Sequence, residues 1–256
     1  MKVVLFAGGK GSRISEESTI RPKPMVEIGG KPILWHIMKG YAQFGHEDFI
    51  VCLGYKGYLI KEYFINYFRH NADLTVDLGS NTVEVHQTRA ESFRVTLVDT
   101  GVETATAGRL KRVREHVGDE TFLMTYGDGV SDVDLDALVR HHEAAGTVAT
   151  VTAVQAPGRF GLMEIEDDQV SSFVEKPQGD GGWINGGFFV LAPEVFDYLP
   201  ENADEIMWEQ DPMAHLARDG QLSAYRHPGF WKPMDTLREK NELERLWATT
   251  APWKTW

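Results

Sequence analysis

The stretch Val3-Val4-Leu5-Phe6-Ala7-Gly8-Gly9-Lys10-Gly11-Ser12-Arg13 joins an apolar run to a glycine-rich loop. The four apolar residues at its start predict a buried strand of a parallel sheet. The glycines allow backbone N–H groups to turn towards an anion, and Arg13 adds a fixed cation whose planar fork suits phosphate. Lys23, held between two prolines, supplies a second cation. This pattern predicts a cradle for a nucleoside triphosphate, with a tight strand-to-helix turn as the structural alternative.

Two common phosphate-binding motifs do not fit this loop. A Walker loop requires Ser or Thr after a Gly-Lys pair, and no Gly-Lys pair of the chain has one: Gly9-Lys10 is followed by Gly11, and Gly30-Lys31 by Pro32. A dinucleotide-binding fingerprint requires a glycine three positions after Gly11, where the chain has Ile14. Both motifs are therefore excluded.

Segments typical of helices and strands alternate along the chain. Residues 31–41 have the apolar spacing of an amphipathic helix, residues 49–53 form an apolar run, and residues 58–68 again have helical spacing. This order predicts a parallel sheet with right-handed crossovers. With 256 residues and no repeat or linker, we expect one domain over residues 1–256. Residues from about 195 are expected to form an appended C-terminal lobe, and its Trp-rich end is expected to be exposed and to suggest a subunit interface.

Composition and charge limit the classes of function. The formal net charge of −12 argues against a surface that binds nucleic acid. It does not exclude small phosphorylated substrates, because local cations such as Arg13 and Lys23 can bind them. The single cysteine, Cys52, excludes a disulfide within the chain. Since no apolar stretch is long enough to span a membrane, we expect a cytoplasmic protein without membrane contacts.

Two aspartates are candidate metal ligands. Asp128 follows the predicted strand at residues 122–126 and has a glycine on each side. Open α/β sheets bind ligands at this end of their strands, and a carboxylate there can hold a metal that prefers oxygen ligands. A simple Asp-Gly turn is the alternative. Asp235 precedes a predicted helix from about Leu237, so it either caps that helix or faces Asp128 as a second metal ligand.

Two further segments carry weaker signals. The loop at residues 104–108 consists of small and polar residues and opens a basic helix, which favours a flat or anionic ligand against the backbone or, equally, a plain capped helix. Glu175, Lys176 and Asn185 surround a predicted hairpin with a turn at Asp167-Asp168. A carboxylate, an amine and an amide at this place could bind sugar hydroxyls.

Taken together, these motifs resemble those of the sugar-1-phosphate nucleotidylyltransferases, and the resemblance covers nearly the whole chain. The residues that carry it are 7–13, 22–32, 108–112, 125–130, 157–161, 175–177, 185–190, 227–236 and 251–256. The segment Thr125-Tyr126-Gly127-Asp128-Gly129-Val130 and the Trp-rich end are similar to the cytidylyl branch in particular.

The resemblance implies a Rossmann-like α/β fold of the nucleotide-diphospho-sugar transferase type, with a mixed, mostly parallel sheet flanked by helices. It implies CTP and glucose 1-phosphate as substrates, CDP-glucose and pyrophosphate as products, Mg²⁺ as cofactor and a homo-oligomer. Asp128 and Asp235 match the Mg²⁺ ligands, and Glu175, Lys176, Asn185 and Gly187 match the sugar-phosphate pocket. The nucleotide contacts match Ala7, Gly8, Gly9, Gly11, Ser12, Arg13, Lys23, Thr106, Gly108, Arg109, Tyr126 and Gly127, of which Arg13 and Lys23 are the candidate catalytic residues.

The chemistry of such a transfer needs no general base, because the attacking phosphate oxygen is already anionic. Catalysis then consists of aligning two polyanions for in-line attack and neutralising the charge of the leaving pyrophosphate. Arg13 would hold the pyrophosphate, and Lys23 would stabilise the transferred α-phosphoryl group. Three alternatives stay open: the same reaction with UTP, dTTP or another sugar 1-phosphate, a non-catalytic subunit that binds sugar nucleotides, and a glycosyltransferase that uses Asp132 and Asp134 as its metal site.

Overall fold

The computed structural model describes residues 1–11, 14–155, 162–166, 169–174 and 182–256. The strands are β1 (Lys2–Ala7), β2 (Glu27–Ile28), β3 (Lys31–Pro32), β4 (Asp48–Leu53), β5 (Ala72–Asp77), β6 (Thr82–Thr88), β7 (Arg94–Asp99), β8 (Phe122–Tyr126), β9 (Gly129–Ser131), β10 (Ala149–Val154), β11 (Leu162–Glu166), β12 (Gln169–Val174), β13 (Ile184–Leu191), β14 (Leu222–His227) and β15 (Trp231–Pro233). The α-helices are α1 (Ser15–Ser18), α2 (Ile33–Ala42), α3 (Gly57–His70), α4 (Thr106–Arg112), α5 (Arg114–Val117), α6 (Leu135–Ala145), α7 (Asp211–Arg218) and α8 (Leu237–Trp247).

A mixed sheet forms the centre of the molecule. In the described part of the chain its order is β14-β10-β13-β8-β1-β4-β7. Strand β1 runs parallel to both β4 and β8, β4 is parallel to β7, and β10 is parallel to β14. Among the described strands of this sheet, β13 is the antiparallel one, to β8 on one side and β10 on the other. The predicted mixed, mostly parallel sheet is therefore confirmed.

Both faces of this sheet are covered, and the sequence of β1 is an unbroken apolar run for that reason. Val3 and Leu5 point into a core that α2, α3 and α6 complete, and Val4 and Phe6 point into a second core that α4 and α7 complete. Strands buried on both faces need apolar residues at every position. Within the described residues, no helix is long and apolar enough to cross a membrane.

Several predicted elements lie where the sequence placed them. The strand at residues 122–126 is β8, the helix after Asp235 is α8, and the predicted hairpin is the antiparallel pair β11 and β12. Its turn at Asp167-Asp168 lies outside the described residues. The segment after residue 195 adds β14 to the edge of the central sheet and pairs β15 with β9.

The expected exposure of the Trp-rich end is wrong for Trp253, which is 1% exposed. Its ring stacks on Trp247 and Phe230, and its Nε1 atom donates a hydrogen bond to Nδ1 of His36 at 3.4 Å. His36 in turn donates from Nε2 to the carbonyl of Ile28 at 2.8 Å. Because the chain itself supplies an aromatic surface and a polar partner, this end of the chain packs against α2.

Candidate active site

A cavity of about 360 Å³ lies at the carboxyl ends of β1 and β8, the edge at which open α/β sheets bind ligands. The sequence placed most of its candidate residues there. Of the predicted nucleotide contacts, Ala7, Gly8, Gly9, Gly11, Lys23, Thr106, Arg109, Tyr126 and Gly127 line the cavity, together with the predicted metal ligands Asp128 and Asp235.

The centre of the site is the buried ammonium group of Lys23. It lies on a short 3-10 helix, Lys23–Met25, and its Nζ atom donates to Oδ2 of Asp128 at 2.7 Å and to Oδ1 of Asp235 at 2.5 Å. Burial alone would lower the pKa of Lys23, but the charges and hydrogen bonds of the two carboxylates outweigh it and leave that pKa above its ordinary value. The lysine is therefore charged at neutral pH.

Strand pairing brings the two carboxylates together. Asp128 directly precedes β9 and Asp235 follows β15, and the antiparallel pairing of these strands sets Gly129 opposite Pro233. The N–H group of Met234 also donates to the carbonyl of Asp128 at 2.8 Å. Two residues distant in sequence thus become neighbours at one wall of the cavity.

The helix after Asp235 has its own cap. The Thr236 side chain accepts from the N–H of Glu239, and the Glu239 carboxylate accepts from the N–H groups of Thr236 and Asp235, which completes a capping box. The carboxylate of Asp235 is therefore not the cap of α8 and points to Lys23 instead. This geometry answers the question that the sequence left open between capping and ligand binding.

The paired carboxylates fit a hard divalent cation. Their oxygens already converge on one positive charge, the Lys23 ammonium. Among the residues that the structure describes, no group of three or more Asp, Glu, His or Cys side chains could hold a metal. A site of two carboxylates leaves the other coordination positions to water and substrate phosphate, which is how Mg²⁺ is usually bound.

Arg109 fixes the shape of the glycine loop. Its guanidinium donates to the Gly8 carbonyl at 3.1 Å, and also to the carbonyls of Leu53 and Gly101 and the hydroxyl of Thr100. Burial lowers the pKa of Arg109, and only 4% of the residue is exposed. A side chain on Gly8 would put its Cβ atom 2.0 Å from Nη1 of Arg109, so only glycine fits there. The predicted nucleotide contact of Arg109 stays a prediction, and its visible role is to anchor the loop.

A carboxylate that the sequence analysis missed, Glu209, completes the cavity wall. The hydroxyl of Thr106 donates to its Oε2 atom at 2.8 Å, and Tyr126 lies near enough to feel its negative charge. Burial and this negative charge raise the pKa of Tyr126 above its ordinary value. Glu209 lies in no recognisable motif, so no local sequence signal could have identified it.

The remaining candidate site residues lie beside the cavity, away from it, or outside the described residues. Asn185 donates from Nδ2 to the Tyr126 hydroxyl at 3.1 Å and accepts at Oδ1 from the N–H of Gly187, next to the cavity. Gly108 lies inside α4 and packs against Asp204, away from the lining. Ser12, Arg13, Glu175 and Lys176 lie outside the described residues.

The two aspartates that would form the metal site of a glycosyltransferase make hydrogen bonds away from the cavity. Asp134 caps α6, where its Oδ1 atom accepts from the N–H of Ala137 at 2.8 Å. Asp132 accepts from the N–H of Phe230 at 2.7 Å and lies 2.9 Å from Nε2 of His227. Both side chains hold local structure, and neither lines the cavity.

A mixed α/β sheet with a glycine loop, a buried lysine and paired carboxylates at its carboxyl edge defines an enzyme that handles phosphorylated nucleotides. The chain belongs to the nucleotidyl transferase family, whose sequence model matches residues 2–232, and it groups there with the glucose-1-phosphate cytidylyltransferases. It is 59% identical to the glucose-1-phosphate cytidylyltransferase of Salmonella typhi and 48% identical to the probable glucose-1-phosphate cytidylyltransferase of Bacillus subtilis. In both comparisons 100% of each chain is covered. The family predicted from the sequence is confirmed.

Solved structures agree on the fold. HddC from Yersinia pseudotuberculosis superposes with a TM-score of 0.70 at 22% identity, covering 96% of this chain and 99% of that chain. A putative glucose-1-phosphate thymidylyltransferase from Bacillus anthracis superposes with a TM-score of 0.68 at 19% identity, covering 96% and 94%. The nucleotide-diphospho-sugar transferase fold predicted for the chain is confirmed.

Proposed function

We propose that this enzyme transfers the cytidylyl group of CTP to glucose 1-phosphate and forms CDP-glucose and pyrophosphate. The observation that carries the proposal is the ion-paired cluster of Lys23, Asp128 and Asp235 at the wall of a cavity that the glycine loop also lines. The full-length identity of 59% to a glucose-1-phosphate cytidylyltransferase supports this choice of substrates.

Lys23 is the catalytic cation of this proposal. The sugar phosphate oxygen that attacks is already anionic at neutral pH, so the protein must align it and neutralise the charge that develops at the α-phosphorus. A buried ammonium group that two carboxylates hold in place is preorganised for this task. It can stabilise the charge that develops in the transition state without reorganisation of the surrounding water.

Asp128 and Asp235 would hold the proposed Mg²⁺. When bound, the ion would supply positive charge that neutralises the phosphates. The sequence resemblance further assigns the nucleotide to Ser12 and Arg13, of which Arg13 would hold the leaving pyrophosphate, and the sugar phosphate to Glu175 and Lys176. These four assignments remain part of the proposal.

Pyrophosphate release tests the reaction. The purified chain would be assayed with CTP, UTP, GTP and dTTP against a panel of sugar 1-phosphates, and we expect the highest kcat/KM for CTP with glucose 1-phosphate. A preference for another nucleotide or sugar would correct the substrate. No release with any pair would contradict the proposal and favour a subunit that only binds sugar nucleotides.

We also propose that the enzyme is a homo-oligomer in the cytoplasm. The hairpin of β5 and β6 exposes apolar side chains, with Val76 54% and Leu78 89% exposed, and Ile65 on α3 is 71% exposed. A second copy of the chain could cover this surface. The buried free thiol of Cys52 fits a reducing compartment. Light scattering of the wild type and of Leu78→Ser would test the assembly, and a monomeric wild type would contradict it.

A further inference from the structure

We propose that the Glu209 carboxylate accepts a hydrogen bond from the exocyclic amino group of the cytosine base and thereby selects CTP over UTP and dTTP. The inference rests on the proposed function and names the residue that would set its base specificity. Glu209 lines the cavity, and it follows Trp208, which is fully buried and anchors the segment. Its side chain is thus held at the cavity wall rather than free in solvent.

The hydroxyl of Thr106 directs its proton at the Glu209 carboxylate. Thr106 lies 2.8 Å from Oε2 of Glu209, and its hydroxyl oxygen accepts the N–H of Trp208 at 2.7 Å. The Asn185 amide is oriented by the N–H of Gly187, so its Nδ2 atom donates to the Tyr126 hydroxyl. The Tyr126 hydroxyl oxygen thus accepts from Asn185, and burial and the charge of Glu209 raise the pKa of Tyr126.

This arrangement leaves an acceptor facing the ligand. A carboxylate has about four lone-pair positions, and the Thr106 hydroxyl occupies only one of them. Because the proton of Thr106 is already used, its hydroxyl offers no donor to the cavity. The wall formed by Thr106, Tyr126 and Glu209, which we call the acceptor wall, therefore favours a ligand group that carries N–H or O–H.

Charge places the phosphates away from the acceptor wall. Across the described residues Glu209 forms no ion pair, whereas Asp128 and Asp235 share the Lys23 ammonium. An unpaired anion repels a triphosphate, so the phosphates are expected at Lys23 and the glycine loop. A neutral part of the nucleotide then lies against Glu209, beside the side chains of Met207 and Tyr126.

The pyrimidine bases differ in the group that would contact the acceptor wall. Cytosine carries an amino donor where uracil and thymine carry a carbonyl acceptor. A carbonyl facing the carboxylate would leave two acceptors in contact with no proton between them. A site built to hydrogen-bond a substrate N–H group rejects an analogue that lacks it by about 10⁴- to 10⁵-fold. Hydroxyl groups of ribose occur in CTP and UTP alike, so contacts to them would not separate the two.

The test compares Glu209→Gln with the control Glu205→Gln, a nearby exposed glutamate outside the cavity lining. The kcat/KM values for CTP and UTP and the KM for glucose 1-phosphate would be measured for each. The glutamine amide can donate to a carbonyl, so we expect the CTP-to-UTP ratio to fall about a hundredfold, with the KM for glucose 1-phosphate nearly unchanged. The control variant should keep the wild-type ratio.

An unchanged CTP-to-UTP ratio together with a raised KM for glucose 1-phosphate would overturn the proposal and assign Glu209 to the sugar. If Glu209→Gln fails to fold, Glu209→Asp keeps the charge but shortens the reach, and it should lose CTP affinity without gaining UTP affinity. Unchanged CTP binding by a folded Glu209→Asp variant would equally overturn it. Calorimetric titration with CTP and UTP in the absence of sugar separates this result from a failure of the proposed reaction.

Discussion

The Nζ atom of Lys23 lies 2.5 Å from Oδ1 of Asp235, although 212 positions separate the two residues in the chain. The same nitrogen lies 2.7 Å from Oδ2 of Asp128. Among the described residues, two carboxylates therefore converge on one ammonium group. The metal ion and the phosphate of the proposed function must both be accommodated around Lys23.

The variant Lys23→Ala is expected to lower kcat by on the order of 100- to 1,000-fold, because a preorganised cation at the transferred phosphoryl group is lost. The matched control is Arg21→Ala, which removes a nearby cation whose pair with Glu27 is partly exposed and contributes little. Steady-state pyrophosphate release measures the effect, and thermal unfolding checks the fold. Near-normal turnover in a folded Lys23→Ala variant would remove Lys23 from the mechanism.

The variant Asp235→Asn tests the metal site. An amide cannot supply the charge of a carboxylate, so we expect the Mg²⁺ concentration for half-maximal activity to rise at least about tenfold. Isothermal titration of Mg²⁺ in the presence of CTP gives a readout that does not need turnover. Helix α8 should stay folded, since Thr236 and Glu239 form its cap. An unchanged Mg²⁺ requirement and affinity would contradict the role of Asp235 as a ligand.

Local patterns were sufficient for the framework of the site. The apolar run of β1 and the glycines after it located the loop, and Asp128 at the end of β8 was recognisable because a carboxylate follows a buried strand. The helix α8 was predicted with its observed bounds. Such features depend on residues that are neighbours in the sequence.

Long-range relationships were beyond local patterns. The position of Asp235 depends on the pairing of β15 with β9, and the place of Glu209 depends on how its segment packs against Thr106. The Trp-rich end was expected to be exposed, because the sequence alone does not show which residues pack against its aromatic side chains. In the fold, His36 and its neighbours cover Trp253.

The variant Gly8→Ala is expected to destabilise the protein by about 2 to 4 kcal/mol and to weaken nucleotide binding, because its Cβ atom would collide with the Arg109 guanidinium. The control is Gly9→Ala, where a Cβ atom meets nothing within 4 Å. Chemical unfolding and CTP titration measure the two effects. Equal stability of both variants would show that Arg109 yields easily and does not anchor the loop.

His36 makes the fold sensitive to acid. Burial lowers the pKa of His36 to about 4, because the ring is enclosed by the aromatic side chains of Trp247 and Trp253. The unfolded chain binds a proton at this residue near pH 6.5, whereas the folded chain does so only near pH 4. Between these values the unfolded state holds more protons, so stability falls as the pH falls. The full loss from this residue is about 3 kcal/mol.

Urea unfolding at pH 7, 6, 5 and 4 would measure this loss, with tryptophan fluorescence as the signal. The control His36→Gln removes the titration but keeps an amide that can donate to the carbonyl of Ile28 and accept from Trp253. Because His46 and His142 also have lowered pKa values, some loss should persist in the variant. The slope between pH 6 and pH 4 should nevertheless be clearly smaller in His36→Gln than in the wild type. Parallel slopes would mean that His36 is not the group that couples protonation to unfolding of the packed C-terminal end.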